Sequence, residues 1–302
     1  MPAGRTVRHH HAPADHEAST EGIRAVKLSF AVLALTATFQ LAVALASGSA
    51  ALLADTAHNF GDALTALPLW LAFALSRKAA SRSYTYGYGR AEDLAGAAIV
   101  GIILLSAAVS GYESVTKLLE GPVVQGTGWV ALAAVAGFAG NELAARLRIS
   151  TGRRIGSAAL VADGQHARTD GLTSLAVLAG AAGAWLGYPA VDPVVGLGIT
   201  AAILLIVRDS ARTVWRRLMD AVEPGTVEAL EEVASGIPEI LQVEEVRARW
   251  IGHSLHAEVR ARVPPELSAE RIGELSERLA FAARKRLSHL ERVLLEPVPD
   301  TV

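Results

Sequence analysis

The chain has 302 residues, 51% of them hydrophobic and only 19% charged, with a formal net charge of −2. A soluble domain carries about 25% charged residues, so this composition, with its strongly clustered charges, is that of a membrane protein. Without a single cysteine, disulfides, thiolate metal sites and cysteine nucleophiles are excluded.

Residues 1–22 hold His9, His10, His11 and His16 among Ala, Pro, Asp and Glu. That composition cannot bury enough surface to fold and reads as a disordered cytoplasmic tail. It has no apolar core before a small-residue cleavage site, so it is not a signal peptide. The histidine tract either collects metal or is merely solvated.

Six apolar segments follow, near 28–47, 50–76, 91–118, 127–147, 157–186 and 191–214, each close to the roughly 20 residues that a membrane-spanning helix needs. Arg24 and Lys27 precede the first. Arg77, Lys78, Arg82 and Arg90 lie between the second and third. Arg146, Arg148, Arg153 and Arg154 lie at or between the fourth and fifth, and Arg208, Arg212, Arg216 and Arg217 close the sixth. The alternate loops, around Ser47, Gly121 to Thr127 and Gly187 to Ala190, have no Lys or Arg. The positive-inside rule then puts both termini in the cytoplasm. The small residues in GFAG (Gly137 to Gly140) and GLGIT (Gly196 to Thr200) suit close helix packing, and equally reflect a chain rich in Ala and Gly.

The second and fifth segments share a design. SAALLADTAHNFGD carries His58 and Asp62, and SAALVADGQHARTD carries His166 and Asp170. Four-residue spacing puts each imidazole and carboxylate on one helix face. Ionisable groups at membrane depth are costly and mark ion pathways. Two nitrogens and two oxygens make a donor set that tetrahedral Zn²⁺ uses. One His-x-x-x-Asp alone is as consistent with packing; its repetition argues for a site. Asp55 and Asp163 each precede their histidine by three residues, placed either to orient an imidazole or to lie solvated at a cavity mouth. Asn141 and Glu142, shortly before Arg146 and Arg148, read as capping or interfacial.

After Met219 the pattern becomes that of a soluble domain. Val227, Leu230, Val233 and Ile237 mark an amphipathic helix. A strand over Leu241 to Trp250, a turn at Gly252 and an alternating strand over Leu255 to Val263 form a hairpin. Ile272, Leu275, Leu279, Ala283 and Leu287 mark a second helix, and Arg292 to Val298 a last strand. The expected fold is thus an α-helical membrane protein of six transmembrane helices (23–217) followed by a small cytoplasmic α+β domain (218–302), ferredoxin-like in the order αββαβ.

The motifs SGSAALLADTAHNFGD, YTYGYGRAED, ADGQHARTD, DPVVGLGI and LMDAVEP, in this order on a six-helix layout, resemble the cation diffusion facilitator family from about Ile23 to Pro299. The resemblance implies a homodimeric exporter of Zn²⁺ or a similar divalent ion, driven by inward proton flow, with its site on the second and fifth helices at His58, Asp62, His166 and Asp170. His58, where less selective members carry a second carboxylate, favours zinc; Co²⁺ and Cd²⁺ follow as candidates, with Fe²⁺ and Mn²⁺ behind. Nitrogen ligands argue in the same direction. The resemblance also implies that Arg90 pairs with Asp220, although a snorkelling arginine needs no partner.

Some members bind metal in the loop before the third helix. Here Arg77 to Gly89 holds three tyrosines and no acid or histidine, so no site is expected. Others bind a zinc pair in the soluble domain, at positions that here look like Glu244, Arg260 and Leu294 or Glu296. An arginine cannot ligate metal, so that site is expected to be absent or altered, with His253 and His256 as weak substitutes.

Metal binding requires neutral His and ionised Asp, so metal and protons compete for the site, with the imidazoles as proton carriers. Two other classes compare with this reading. A membrane metalloenzyme would need an open coordination position and a general base such as H-E-x-x-H supplies, which is missing, so no enzyme is expected. A metal sensor or scaffold would work through its soluble domain, where the metal positions are weakened. The expected location is the inner (plasma) membrane, with lipid, metal ions and a second copy as partners and no nucleic acid.

Overall fold

The computed structural model describes residues 13–47, 66–120, 128–188 and 190–300. Among the described residues, six helices build the bundle: α1 (Pro13–Ser47), α2 (Ala66–Ser76), α3 (Arg90–Glu120), α4 (Gly128–Ile155), α5 (Ala158–Trp185) and α6 (Val191–Leu218). Among the described residues, four stretches are long and apolar enough to cross a bilayer, namely Glu17–Ala46, Arg90–Leu119, Gly128–Ile155 and Val191–Leu218. The six expected spans are therefore matched by four clear ones. Helix α2 is a shorter apolar piece, and α5 is 28 residues long with Asp163, His166, Arg168 and Asp170 in its first half.

Helix α1 starts earlier than expected. Residues 13–22, read as disordered tail, are helical because tertiary partners hold them: Ser19 is 1% exposed, its Oγ is 3.3 Å from Ser76 Oγ, and Gly22 is seated against the Phe73 ring. Helix α4 packs on α1 and α5, α6 on α3 and α5, and α2 on α1 and α3. Leu69, Phe73, Ile99, Ile103, Leu160 and Ile203 form the bundle's main core. The small residues do mark close approaches: Gly140 abuts Thr36, and Gly164 lies against Arg148 and Ile149.

The α+β domain follows as α7 (Thr226–Ser235), β1 (Gln242–Ile251), β2 (Ser254–Val263), α8 (Ala269–Arg286) and β3 (Leu290–Pro299), the expected order of elements. Strand β2 is central, antiparallel to β1 and parallel to β3. Its alternation places Leu255, Ala257, Val259, Ala261 and Val263 in one core with Leu230 and Ala234 of α7 and with Leu275, Leu279 and Ala283 of α8. Burying such side chains contributes about 1.5–3 kcal/mol each for the larger ones, which is how so small a domain offsets its ordering entropy. Strand β3 lies at a sheet edge and carries Pro297 and Pro299.

The tip of the β1–β2 hairpin plugs into the end of the bundle. Gly252 turns at φ 62°, a conformation open to glycine at little cost, and its N–H donates to Asp93 Oδ2 at 3.3 Å. His253 Nδ1 sits 2.7 Å from Glu92 Oε2, and both side chains are buried. Arg217 donates to the carbonyls of Gly156 (2.6 Å) and Gly252 (3.3 Å) and stacks 4.1 Å over the Trp250 ring.

Candidate metal-transport site

Helix α5 owes its start to two adjacent residues. Gly156 at φ 77° ends α4, and the Ser157 hydroxyl accepts the Leu160 N–H at 3.0 Å, satisfying one of the free first-turn amides. From there the helix carries Asp163, His166 and Asp170 into the bundle. His166 is 1% and Asp170 7% exposed. As their spacing requires, they share a face, with His166 Nδ1 3.6 Å from Asp170 Oδ1. Neighbouring hydroxyls turn onto the helix itself: Thr169 Oγ1 donates to the His166 carbonyl at 2.7 Å, and Thr173 Oγ1 to that of Asp170 at 2.7 Å. The imidazole and carboxylate are left as this face's candidate ligands. Their expected counterparts His58 and Asp62, and Asp55 with them, lie outside the described residues.

Asp163 is fully buried, which overturns the reading of it as solvated at a cavity mouth. Its Oδ2 is 3.0 Å from Arg148 Nη1. Arg148, itself 1% exposed, also donates through Nε to Ser29 Oγ at 2.7 Å. One ion pair thereby ties α1, α4 and α5 together one turn from His166. Sequence reasoning placed Arg148 among basic loop residues, because the fourth segment was expected to end near 147, whereas α4 runs to Ile155. The available signal was Asp163 itself, an apolar-helix carboxylate in need of a cation. Glu142 is likewise held between two arginines, Arg146 at 2.7 Å and Arg168 at 3.1 Å.

The expected Arg90–Asp220 pair is formed, with Arg90 Nη2 donating to Asp220 Oδ1. In the α+β domain, Glu244, Arg260 and Glu296 do come together: Arg260 lies 3.4 Å from Glu244 and 3.9 Å from Glu296. A guanidinium thus sits where a ligand would be needed. His253, considered as a substitute ligand, is buried at the domain junction against Glu92. His256 Nε2 lies 3.3 Å from Glu291. In the loop before α3, Tyr84 stacks on Tyr88 at 4.6 Å, and Arg249 of β1 lies 5.1 Å over the Tyr86 ring.

With this geometry in place, comparison with known proteins decides the family. Residues 26–219, which run from within α1 to just past the end of α6, match the cation efflux transmembrane domain. The chain belongs to this cation efflux family. It is 52% identical to the "Probable cation efflux system protein Rv2025c" of Mycobacterium tuberculosis, over 93% of this chain and 85% of that protein. It is 27% identical to the magnetosome protein MamB of Magnetospirillum gryphiswaldense, over 87% of this chain and 90% of that one. A solved C-terminal domain of MamM aligns with 26% of this chain and 94% of its own, at 22% identity and a TM-score of 0.24. This cation efflux protein is therefore a multi-pass membrane transporter of divalent cations by family, and not an enzyme.

Proposed function

We propose that this protein exports Zn²⁺ from the cytoplasm in exchange for protons, by alternating access through His58, Asp62, His166 and Asp170. The observation that carries the reading is the burial of His166 and Asp170 side by side on α5, a helix inside the matched cation efflux transmembrane domain. Zn²⁺ is the cargo. Two imidazole nitrogens and two carboxylate oxygens form a borderline donor set that suits it better than Mg²⁺, Ca²⁺ or Mn²⁺. The ion enters from the cytoplasmic side and binds deprotonated His and Asp, releasing protons. The helices then reorient, and protons taken up by the imidazoles from the far side expel it. In this reading six helices cross the inner membrane, residues 218–302 form a cytoplasmic domain, both termini are cytoplasmic and two copies act together.

The test is metal uptake into proteoliposomes under an imposed pH gradient, with Zn²⁺, Co²⁺, Cd²⁺, Fe²⁺ and Mn²⁺, for the parent and Asp170→Ala. Gradient-dependent Zn²⁺ movement that vanishes in the variant is the expected result. A preference for another ion corrects the cargo. Retained transport in Asp170→Ala refutes the site, and zinc binding without movement in the parent makes the protein a sensor or scaffold.

A further inference from the structure

A cavity of about 480 Å³ opens between the bundle and the α+β domain. Its cationic lining comes from elements far apart in sequence: Arg153 near the end of α4, Arg217 near the end of α6 and Arg286 at the end of α8. Glu223 is the carboxylate among its lining residues, and it is already engaged. Its Oε2 accepts the Trp250 Nε1–H at 2.9 Å, and its Oε1 is 3.6 Å from Arg217. Arg286 pairs with Glu232 at 2.8 Å, both side chains being more than half exposed. Among the described residues Arg153 has no carboxylate partner, and Arg217 Nε, on a side chain 10% exposed, has no hydrogen-bond partner.

The remaining surroundings point to the same class of ligand. Ser157 and Ala158, at the positive end of the α5 dipole, form part of the wall. Val161, Leu255 and Leu287 give it an apolar side. Two helices long and apolar enough to cross a bilayer, Gly128–Ile155 and Val191–Leu218, end beside the cavity. Its volume is within the range that holds a small ligand.

We infer that this cavity binds a phosphate-bearing anion, and that the headgroup of an acidic phospholipid is its natural occupant. Guanidinium groups from three elements line the cavity and offer the planar donor geometry that phosphate oxygens accept, and Arg217, a buried cation, gains from a counter-charge. A place at the ends of two bilayer-length helices suits a headgroup, and the apolar wall suits the start of the acyl region. Only the choice of leaflet rests on the proposed orientation: with the α+β domain cytoplasmic, the cavity faces the anionic inner leaflet. A bound headgroup touches both domains at once and favours their docked arrangement by mass action.

The full-length protein in neutral detergent tests this through native mass spectrometry and thermal unfolding, with phosphatidylglycerol against phosphatidylcholine and, separately, with inorganic phosphate. The parent is expected to retain phosphatidylglycerol at least about tenfold over phosphatidylcholine, a gap of about 1.4 kcal/mol, and to unfold at a higher temperature with it. Arg153→Gln with Arg286→Gln should lose that preference while keeping the lipid-free unfolding midpoint. Arg154→Gln, whose guanidinium pairs with Glu21 at 2.9 Å away from the cavity, should keep it. A response to inorganic phosphate alone, lost in the double variant, supports the anion site and assigns it to a soluble phosphoester. No response to either anion, or an unchanged preference in the double variant, overturns the inference. None of these readouts depends on which ion is transported.

Discussion

Replacing Arg148 by methionine separates the cost of a buried charge from the cost of lost packing. Methionine keeps an unbranched stem, so the contact of Arg148 Cβ with Gly164 survives and little cavity opens. What disappears is the guanidinium 3.0 Å from Asp163, and Asp163 is left in a site with no solvent exposure. Breaking a buried pair from one side costs about 3–5 kcal/mol, which is roughly a hundredfold to several thousandfold in the unfolding constant. Adding Asp163→Leu removes the stranded charge, and the double variant should return to within about 1 kcal/mol of the parent. The Arg90–Asp220 pair serves as the internal contrast. Its side chains are 39% and 48% exposed, so water screens it and Asp220→Asn, which leaves the bond of Arg90 to the buried Asp93 in place, should cost no more than about 1 kcal/mol. The assay is reversible denaturant unfolding of the full-length protein in mixed micelles. A cost below about 1 kcal/mol for Arg148→Met, or a double variant whose cost is the sum of the singles, would refute the reasoning.

Two further outcomes follow from the domain junction. Gly252→Ala puts a methyl group 2.8 Å from the Gly89 carbonyl oxygen at a φ of 62°, a backbone obstacle that cannot swing aside. The cost is about 1–3 kcal/mol, and protease cleavage in residues 77–89 should accelerate; an unchanged cleavage rate counts against docking of the hairpin tip. His289 is held below the ordinary imidazole value of 6.5 by burial and then by the Arg217 guanidinium. The unfolded chain takes up this proton first, so the contribution is intact above about pH 6.5 and drains away as pH falls through the folded value. Thermal midpoints recorded between about pH 7.5 and pH 5 should therefore fall less steeply for His289→Gln than for the parent; parallel profiles would contradict the assignment.

Much of the bundle was legible because a single helix carries its own signal. His166 and Asp170 are adjacent since four residues make just over one helical turn, and β2 alternates because its two faces meet different surroundings. The order of elements in the α+β domain followed from the same periodicities. What stayed hidden depends on partners distant in sequence. Residues 13–22 look too polar to fold, yet Ser19 lies 3.4 Å from His253, 234 positions on. His253 resembled a stray ligand until Glu92, 161 positions before it, supplied its partner. Arg148 resembled a loop charge because nothing near it in sequence says that α4 continues past it to meet Asp163. Local periodicity reports the faces of an element and is silent on what those faces meet.

The outer edge of β3 has a consequence for how copies of this chain can associate. A sheet recruits another strand by offering a row of unpaired amides and carbonyls. Pro297 and Pro299 lack that amide, and, being two apart, they face the same way along the strand. Proline is tolerated at an edge only with its nitrogen turned outward, so the β3 rim lacks donors at both positions. A neighbouring strand finds no donor at those two positions, so the last stretch of the β3 rim is a poor template for a shared sheet.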